Sequence, residues 1–196
     1  MELRLVGSEM CIRDRCFNLN WLATDTDKSQ YKRLQRLLTH LQLSPDLADL
    51  IRDWVDSDQQ VSGLGAEDSA YQLKTPPHFA ANQPMLDLSE LNMLIDVDPQ
   101  EIQVLSKEVC VVPDTASKIN VNTASAQTLY SLDAAVSIQN AEAIAQSVRN
   151  YQTVTEFVQN HPEFTVVQQQ LAVRSQYFML VARARLNRSR VNLTSV

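Results

Sequence analysis

Tyr177–Leu186, YFMLVARARL, alternates Phe178, Leu180, Ala182, Ala184 and Leu186 with Tyr177, Met179, Val181, Arg183 and Arg185. A side-chain period of two is the signature of a strand, here with arginines on one face. Asn187-Arg188 can turn the chain into a second strand carrying Val191 and Leu193. The glycosylation triplets at Asn187 and Asn192 carry little weight inside such strands. The chain ahead of this run is mostly at helical spacing, so the change of period makes the fold class α+β.

Moving outward, residues 118–160 carry a helical unit. Asn122 or Thr123 caps a helix running to Leu132. A second helix covers about 138–150, with Ile138, Ala141, Ile144, Ala145 and Val148 on one face, and a third begins near Thr153–Thr155 with Phe157 and Val158 inward. The pattern is that of a helix-hairpin-helix. Earlier still, Asp87–Glu90 and Asp98-Pro99-Gln100-Glu101 are capping boxes that open short helices. Val109–Val112 reads as a short extended piece ended by Pro113. Residues 26–43 read as a helix on Tyr31, Leu34, Leu38 and Leu41. Ser44-Pro45 starts the next, with Leu47, Ile51, Trp54 and Val55 as its apolar face.

That second helix also carries Asp46, Asp49, Asp53 and Asp56 on another face. Acids at a helix C-terminus oppose the macrodipole. Asp53, Asp56, Asp58, Glu67 and Asp68 place five carboxylates within sixteen residues, and carboxylates that close repel unless a cation or proton shares the site. The loop that follows, 57–85, is too long to order itself without help. Hard oxygen ligands on a flexible loop suit calcium, although the spacing is not that of an EF-hand. A solvated acidic surface is the plainer alternative.

Composition narrows the field. The 196 residues carry 23 acids and 17 bases for a net charge of −6, which argues against a general nucleic-acid binder. With three glycines and no GxGxxG or Walker pattern, phosphate loops are excluded as well. No apolar run reaches the length of a membrane span and no signal peptide is visible. Met1–Arg15, MELRLVGSEMCIRDR, has no clean period and contains VGSEMCIRDR, which resembles a translated sequencing adapter. It reads as a non-native tail, in which case the native N-terminus would be missing, and a short native strand or tail is the plainer alternative; the end at Val196 suggests a C-terminal truncation too. Without Cys11 in that tail, Cys16 and Cys110 remain. They fit either a disulfide in an oxidising compartment or two unrelated buried thiols.

The ordered set Cys16-Phe17-Asn18-Leu19-Asn20, DWVDSD at 53–58, GAEDSAY at 65–71, Pro76-Pro77, AANQPMLDLSEL at 80–91 and INVNTAS at 119–125 resembles the K-type minor pseudopilin of bacterial type II secretion systems. The resemblance spans about residues 16–196. It implies a mainly helical domain, SAM-like or helix-hairpin-helix-like, inserted into a pilin-like α/β domain of which only part is present. The expected divisions are the tail 1–15, the start of the pilin-like part at 16–25, a helical domain with the acidic loop at 26–117, a helix-hairpin-helix-like unit at 118–163 and a truncated pilin-like β part at 164–196.

It further implies a non-enzymatic protein that caps or initiates the periplasmic pseudopilus with I-type and J-type minor pseudopilins as partners. Such a protein is anchored in the inner membrane only through the missing N-terminal helix. A structural Ca²⁺ would take Asp56, Asp58, Glu67 and Asp68, with Asp53 beside them, and a disulfide would join Cys16 to Cys110. Trp21 and Trp54 are expected to pack rather than to bind, and the strand face of 177–186 to cover the missing helix.

Two other readings stay in view. INVNTA also occurs in DNA-binding helix-hairpin-helix proteins, but the hairpin Leu132–Ile138 has no glycine and carries Asp133, which removes close approach to phosphates and adds repulsion, so no nucleic acid is expected. Paired carboxylates could serve a metal-dependent hydrolase. Against that, His40, His78 and His161 show no ligand spacing, and no nucleophile–base pair stands out.

Overall fold

The computed structural model describes residues 3–12, 14–186 and 189–195, with side chains described over 14–180. In chain order, β1 (Leu3–Ile12) leads to β2 (Phe17–Asn18), a 3₁₀ helix at Leu19–Thr24, α1 (Ser29–His40), α2 (Leu47–Val55) and α3 (Asp68–Tyr71). A 3₁₀ helix at Leu88–Met93 precedes α4 (Pro99–Leu105), β3 (Val109–Cys110) and β4 (Ile119–Asn120). Then come α5 (Ala126–Leu132), α6 (Ile138–Gln146), α7 (Val154–Asn160), a 3₁₀ helix at Pro162–Gln170, β5 (Leu171–Ala172), β6 (Phe178–Leu186) and β7 (Ser189–Ser195).

The main sheet is antiparallel in the order β1-β6-β7. Its register runs from Leu3 opposite Leu186 to Ile12 opposite Phe178, with an irregularity between Leu5 and Gly7. Residues 3–12, expected as a tail without period, therefore form a strand; a backbone ladder asks for no particular side chains, so pairing is open to such a sequence. Because Ile12 at the end of β1 lies opposite Phe178 at the start of β6, everything between the two strands leaves one end of this pair and returns to it. The turn expected at Asn187-Arg188 lies outside the described residues, and the faces of β6 beyond Leu180 are outside the described side chains. Among the described residues, no helix is long and apolar enough to cross a membrane.

The helical body packs around one core. Leu34, Leu37 and Leu38 of α1 and Ile51, Trp54 and Val55 of α2 are buried in it, as are Leu129 of α5, Ile144 of α6 and Phe157 of α7. Trp21 is also buried, and its indole N–H donates to the Ser117 hydroxyl at 2.9 Å. α1 begins at Ser29 rather than near residue 26, because Lys28 sits in the left-handed region at φ 58°. Its open amides go instead to Asp25, which accepts from Gln30 and Tyr31 N–H at 3.1 and 2.7 Å.

Two parallel bridges of two residues each, β2 with β3 and β4 with β5, hold the crossing segments. Such short ladders are extended by asparagines. Asn18 Nδ2 reaches Val112 O, Asp114 O and Ser117 Oγ, while its Oδ1 accepts from Val112 and Asn20 N–H. Asn20 pairs with both N–H and C=O of Met85 and with Val112 O. Beside them Cys16 and Cys110 form a disulfide, with Cα atoms 5.7 Å apart.

Both capping boxes form as read, on Asp87 with Glu90 and on Asp98 with Glu101. Elsewhere the local reading needs correction. α5 is capped by Ser125, whose hydroxyl accepts from Thr128 N–H at 3.1 Å. Asn122 is drawn away to Tyr151 and Val173. α6 stops at Gln146, as Ser147 turns extended and its N–H bonds back to Ala143 and Ile144. Val148, assigned to the inner face, is consequently fully exposed, at 100%. The loop 57–85 is not wholly irregular either, since α3 adds one helical turn.

Candidate metal centre

α2 is amphipathic in an unusual way. Ala48, Ile51, Trp54 and Val55 face the core, yet Asp49 and Asp53 are buried too. A buried carboxylate must find donors, and these two find them in the loop that folds over the helix. Asp53 takes Ser62 N–H on both oxygens, at 3.2 and 3.0 Å. Asp49 takes Leu64 N–H at 3.0 Å and the Tyr31 hydroxyl at 2.6 Å. Close approach of backbone to carboxylate needs glycine: a Cβ on Gly63 would run into Asp49, and one on Gly65 into Asp53. Gly63 also sits at φ 50°.

This wrapping returns the chain to the end of α2. Asp56, Asp58 and Glu67 each offer a carboxylate oxygen, and the three atoms lie within 4.8 Å of one another. Asp56 is the extended residue that closes α2, and Glu67 precedes α3. Neither Glu67 oxygen has a hydrogen-bond partner although both are buried, and Asp56 Oδ1 is in the same position. Asp58 is exposed and accepts from Gln60 N–H at 2.7 Å. Arg52 Nε stands at 3.8 Å from Asp56 and makes no hydrogen bond there.

Burial raises the Glu67 carboxyl to about 7, helped by Asp53, Asp56, Asp58 and Asp68. Burial likewise lifts Asp53 to about 6 against the pull of the Ser62 hydrogen bonds. Asp56 moves up for the same reason, with Asp58 adding and Arg52 opposing. Three acids brought together at the edge of the core, with three oxygens unpartnered, fit a hard divalent cation.

Of the five sequence-predicted ligands, the structure brings together Asp56, Asp58 and Glu67. Asp53 is occupied by the Ser62 N–H. Asp68 ties the loop across, accepting from Ala80 N–H at 2.9 Å and from Gln59 at 3.2 Å. Asp49 was missed as an organiser of the site, as were Gly63 and Gly65. The available signal was that two of the chain's three glycines fall in this loop. Beneath the site Trp54 and Tyr71 pack edge to face at 5.2 Å, His78 lies against Tyr71 at 5.2 Å, and Glu90 accepts from the Trp54 indole at 3.1 Å. His78 is thus a packing residue.

A family model described as Type II secretion system (T2SS), protein K, matches residues 15–114, a stretch that holds the acidic loop, both capping boxes and both disulfide cysteines. The chain belongs to the type II secretion system protein K family. Among its relatives, Type II secretion system protein K of Klebsiella pneumoniae is 36% identical over 118 residues, 55% of this chain and 36% of the relative. That of Aeromonas hydrophila is 37% identical over 124 residues, 55% of this chain and 38% of the relative. These matches therefore span well under half of the protein K relatives. A chain of the crystal structure of the GspK-GspI-GspJ complex from enterotoxigenic Escherichia coli superposes with a TM-score of 0.80 at 25% identity, covering 99% of this chain and 77% of that one.

Proposed function

We propose that this chain is the periplasmic part of a K-type minor pseudopilin, a non-enzymatic protein that caps or initiates the pseudopilus together with I-type and J-type partners. The observation that carries the reading is the superposition of 99% of the chain on a member of the GspK-GspI-GspJ complex. Insertion of the helical body between the adjacent strands β1 and β6 supports a pilin-like sheet bearing an inserted domain. In this reading the sheet side docks the I and J subunits, and the bulk of the inserted body prevents a further subunit from adding above it.

Asp56, Asp58 and Glu67 would hold a calcium ion whose chemistry is charge neutralisation. The protein's own part is to bring 62–68 back over α2 through Asp49, Asp53 and the two glycines. The α5–α6 hairpin is read as a helix-hairpin-helix packing unit: Arg33 and Arg36 donate to Leu132, Tyr130 and Val136 carbonyls rather than standing free for phosphates.

The test is assembly. Mixed with I-type and J-type minor pseudopilins, the chain should elute with both as one species on sizing. Failure to co-elute with either would remove the partner assignment. In cells, a protein lacking residues 26–160 that still gave pseudopili of normal length would sink the capping mechanism.

A further inference from the structure

Exposed apolar side chains are not scattered evenly over the body. Among the described residues, six of the eleven large apolar side chains left open fall between 61 and 93: Val61, Leu64, Leu73, Phe79, Leu86 and Met93. Leu73 and Leu86 are 86% and 84% exposed, and Phe79 65%. Lys74 pairs with Asp96 at 2.6 Å, and His78 Nε2 lies 3.4 Å from Met93 O, so the 73–79 turn is tied onto the segment ahead of α4. Leu73, Phe79 and Met93 are therefore held on adjoining, ordered turns. Clusters of open apolar side chains of this kind mark interaction surfaces.

The charge along this part of the chain is one-sided. Residues 53–105 contain ten acids and one lysine, whereas the remainder of the chain has more bases than acids. That lysine is Lys74, already paired with Asp96. A second copy docking by the same face would set acids against acids, and an anionic lipid surface would be repelled. A cationic partner is drawn in.

We propose that the joined turns 73–79 and 93–96 are a docking surface for a cationic amphipathic segment of another protein, whose apolar side chains meet Leu73, Phe79 and Met93 and whose bases meet neighbouring acids such as Asp68, which accepts from Ala80 N–H beside Phe79. Six of the ten acids, Asp68, Asp87, Glu90, Asp96, Asp98 and Glu101, lie outside the metal centre, so this part of the chain stays acidic when calcium is bound.

The full chain is titrated against a fluorescent amphipathic Lys/Leu peptide in about 150 mM salt, where exposed charges alone are largely screened. Titrations are run with calcium and again with chelator. Saturable binding is expected, absent for the matching Glu/Leu peptide. The variant Leu73→Ser/Phe79→Ser/Met93→Ser should weaken it by at least about tenfold, and the control Val148→Ser/Val166→Ser should leave it unchanged. Should the triple variant melt lower than the parent, Leu73→Ser alone carries the comparison. Binding in chelator or only in calcium supports the surface, and the calcium reading keeps its own titration. Equal affinity in variant and parent, equal binding of the Glu/Leu peptide, or self-association of the parent that the triple variant abolishes would each overturn it.

Discussion

Two regions of this chain, the asparagine-bridged crossing segments and the acidic run from α2 into its loop, solve the problem of buried polar groups in opposite ways. Around Asn18-Leu19-Asn20 and Asn120-Val121-Asn122, neutral amides mimic the backbone. Asn122 alone takes Tyr151 O, Val173 O and Tyr151 N–H. Along 49–68, carboxylates take the same role, but they accept only. Asp49 and Asp53 are satisfied by loop amides, while Glu67 and Asp56 keep unpartnered oxygens. Buried polar groups with every bond made are structural; buried acceptors left over are where a ligand belongs.

The comparison can be tested from its strongest side down. Cys16 and Cys110 close 94 residues beside the asparagine ladder. Replacing both by serine should cost about 4–5 kcal/mol of stability in the chain-entropy account, read by urea unfolding, with calcium making no difference to the loss. Asn18→Ala removes a side chain bonded to Val112, Asp114, Ser117 and Asn20, leaving buried backbone groups unpaired. A loss of about 3 kcal/mol is expected; a change under about 1 kcal/mol would place that region's stability elsewhere.

On the acidic side the sign reverses with the ion. Calcium at a hundred times its dissociation constant should stabilise the chain by about 2.7 kcal/mol, and chelator should remove that gain. An unchanged melting temperature in both conditions removes the site. Glu67→Gln should then raise the melting point of the metal-free chain, since it deletes a buried charge among like charges, and should abolish the calcium response. A lower metal-free melting point would mean Glu67 has a partner in solution.

The acidic side also shows itself through pH. Glu67 is raised from 4.5 to about 7 and Asp53 from 3.8 to about 6. With folded values above unfolded ones, the folded chain holds protons more tightly. Without calcium, stability should therefore rise as pH falls through 7 toward 4, and level off below that. With calcium the rise should be blunted, because protons then compete with the ion. Thermal melts at fixed pH steps read both curves.

Several features were legible because their causes are local. A capping box involves residues three apart, so Asp87 with Glu90 and Asp98 with Glu101 could be read without knowing the fold. The strand period at 177–186 needs only a pleat, and β6 begins one residue later. The acidic site was half legible. The crowding of carboxylates was plain, but proximity in sequence does not distinguish Asp53 and Asp68, which hold loop amides, from Asp56, Asp58 and Glu67, which converge. The same limit explains Asn122: it has a capping residue's chemistry, and a tertiary partner outcompeted the cap.

The sequence by itself determined the α+β class, most of the element order and the family, since periodicity, caps and ordered motifs are carried by neighbouring residues. The tertiary structure alone decided which acids share a site, which asparagines stand in for backbone, that Val148 faces water, and that residues 3–12 pair with β6. Each depends on donors and acceptors brought together from distant positions, where burial makes an unmade hydrogen bond costly.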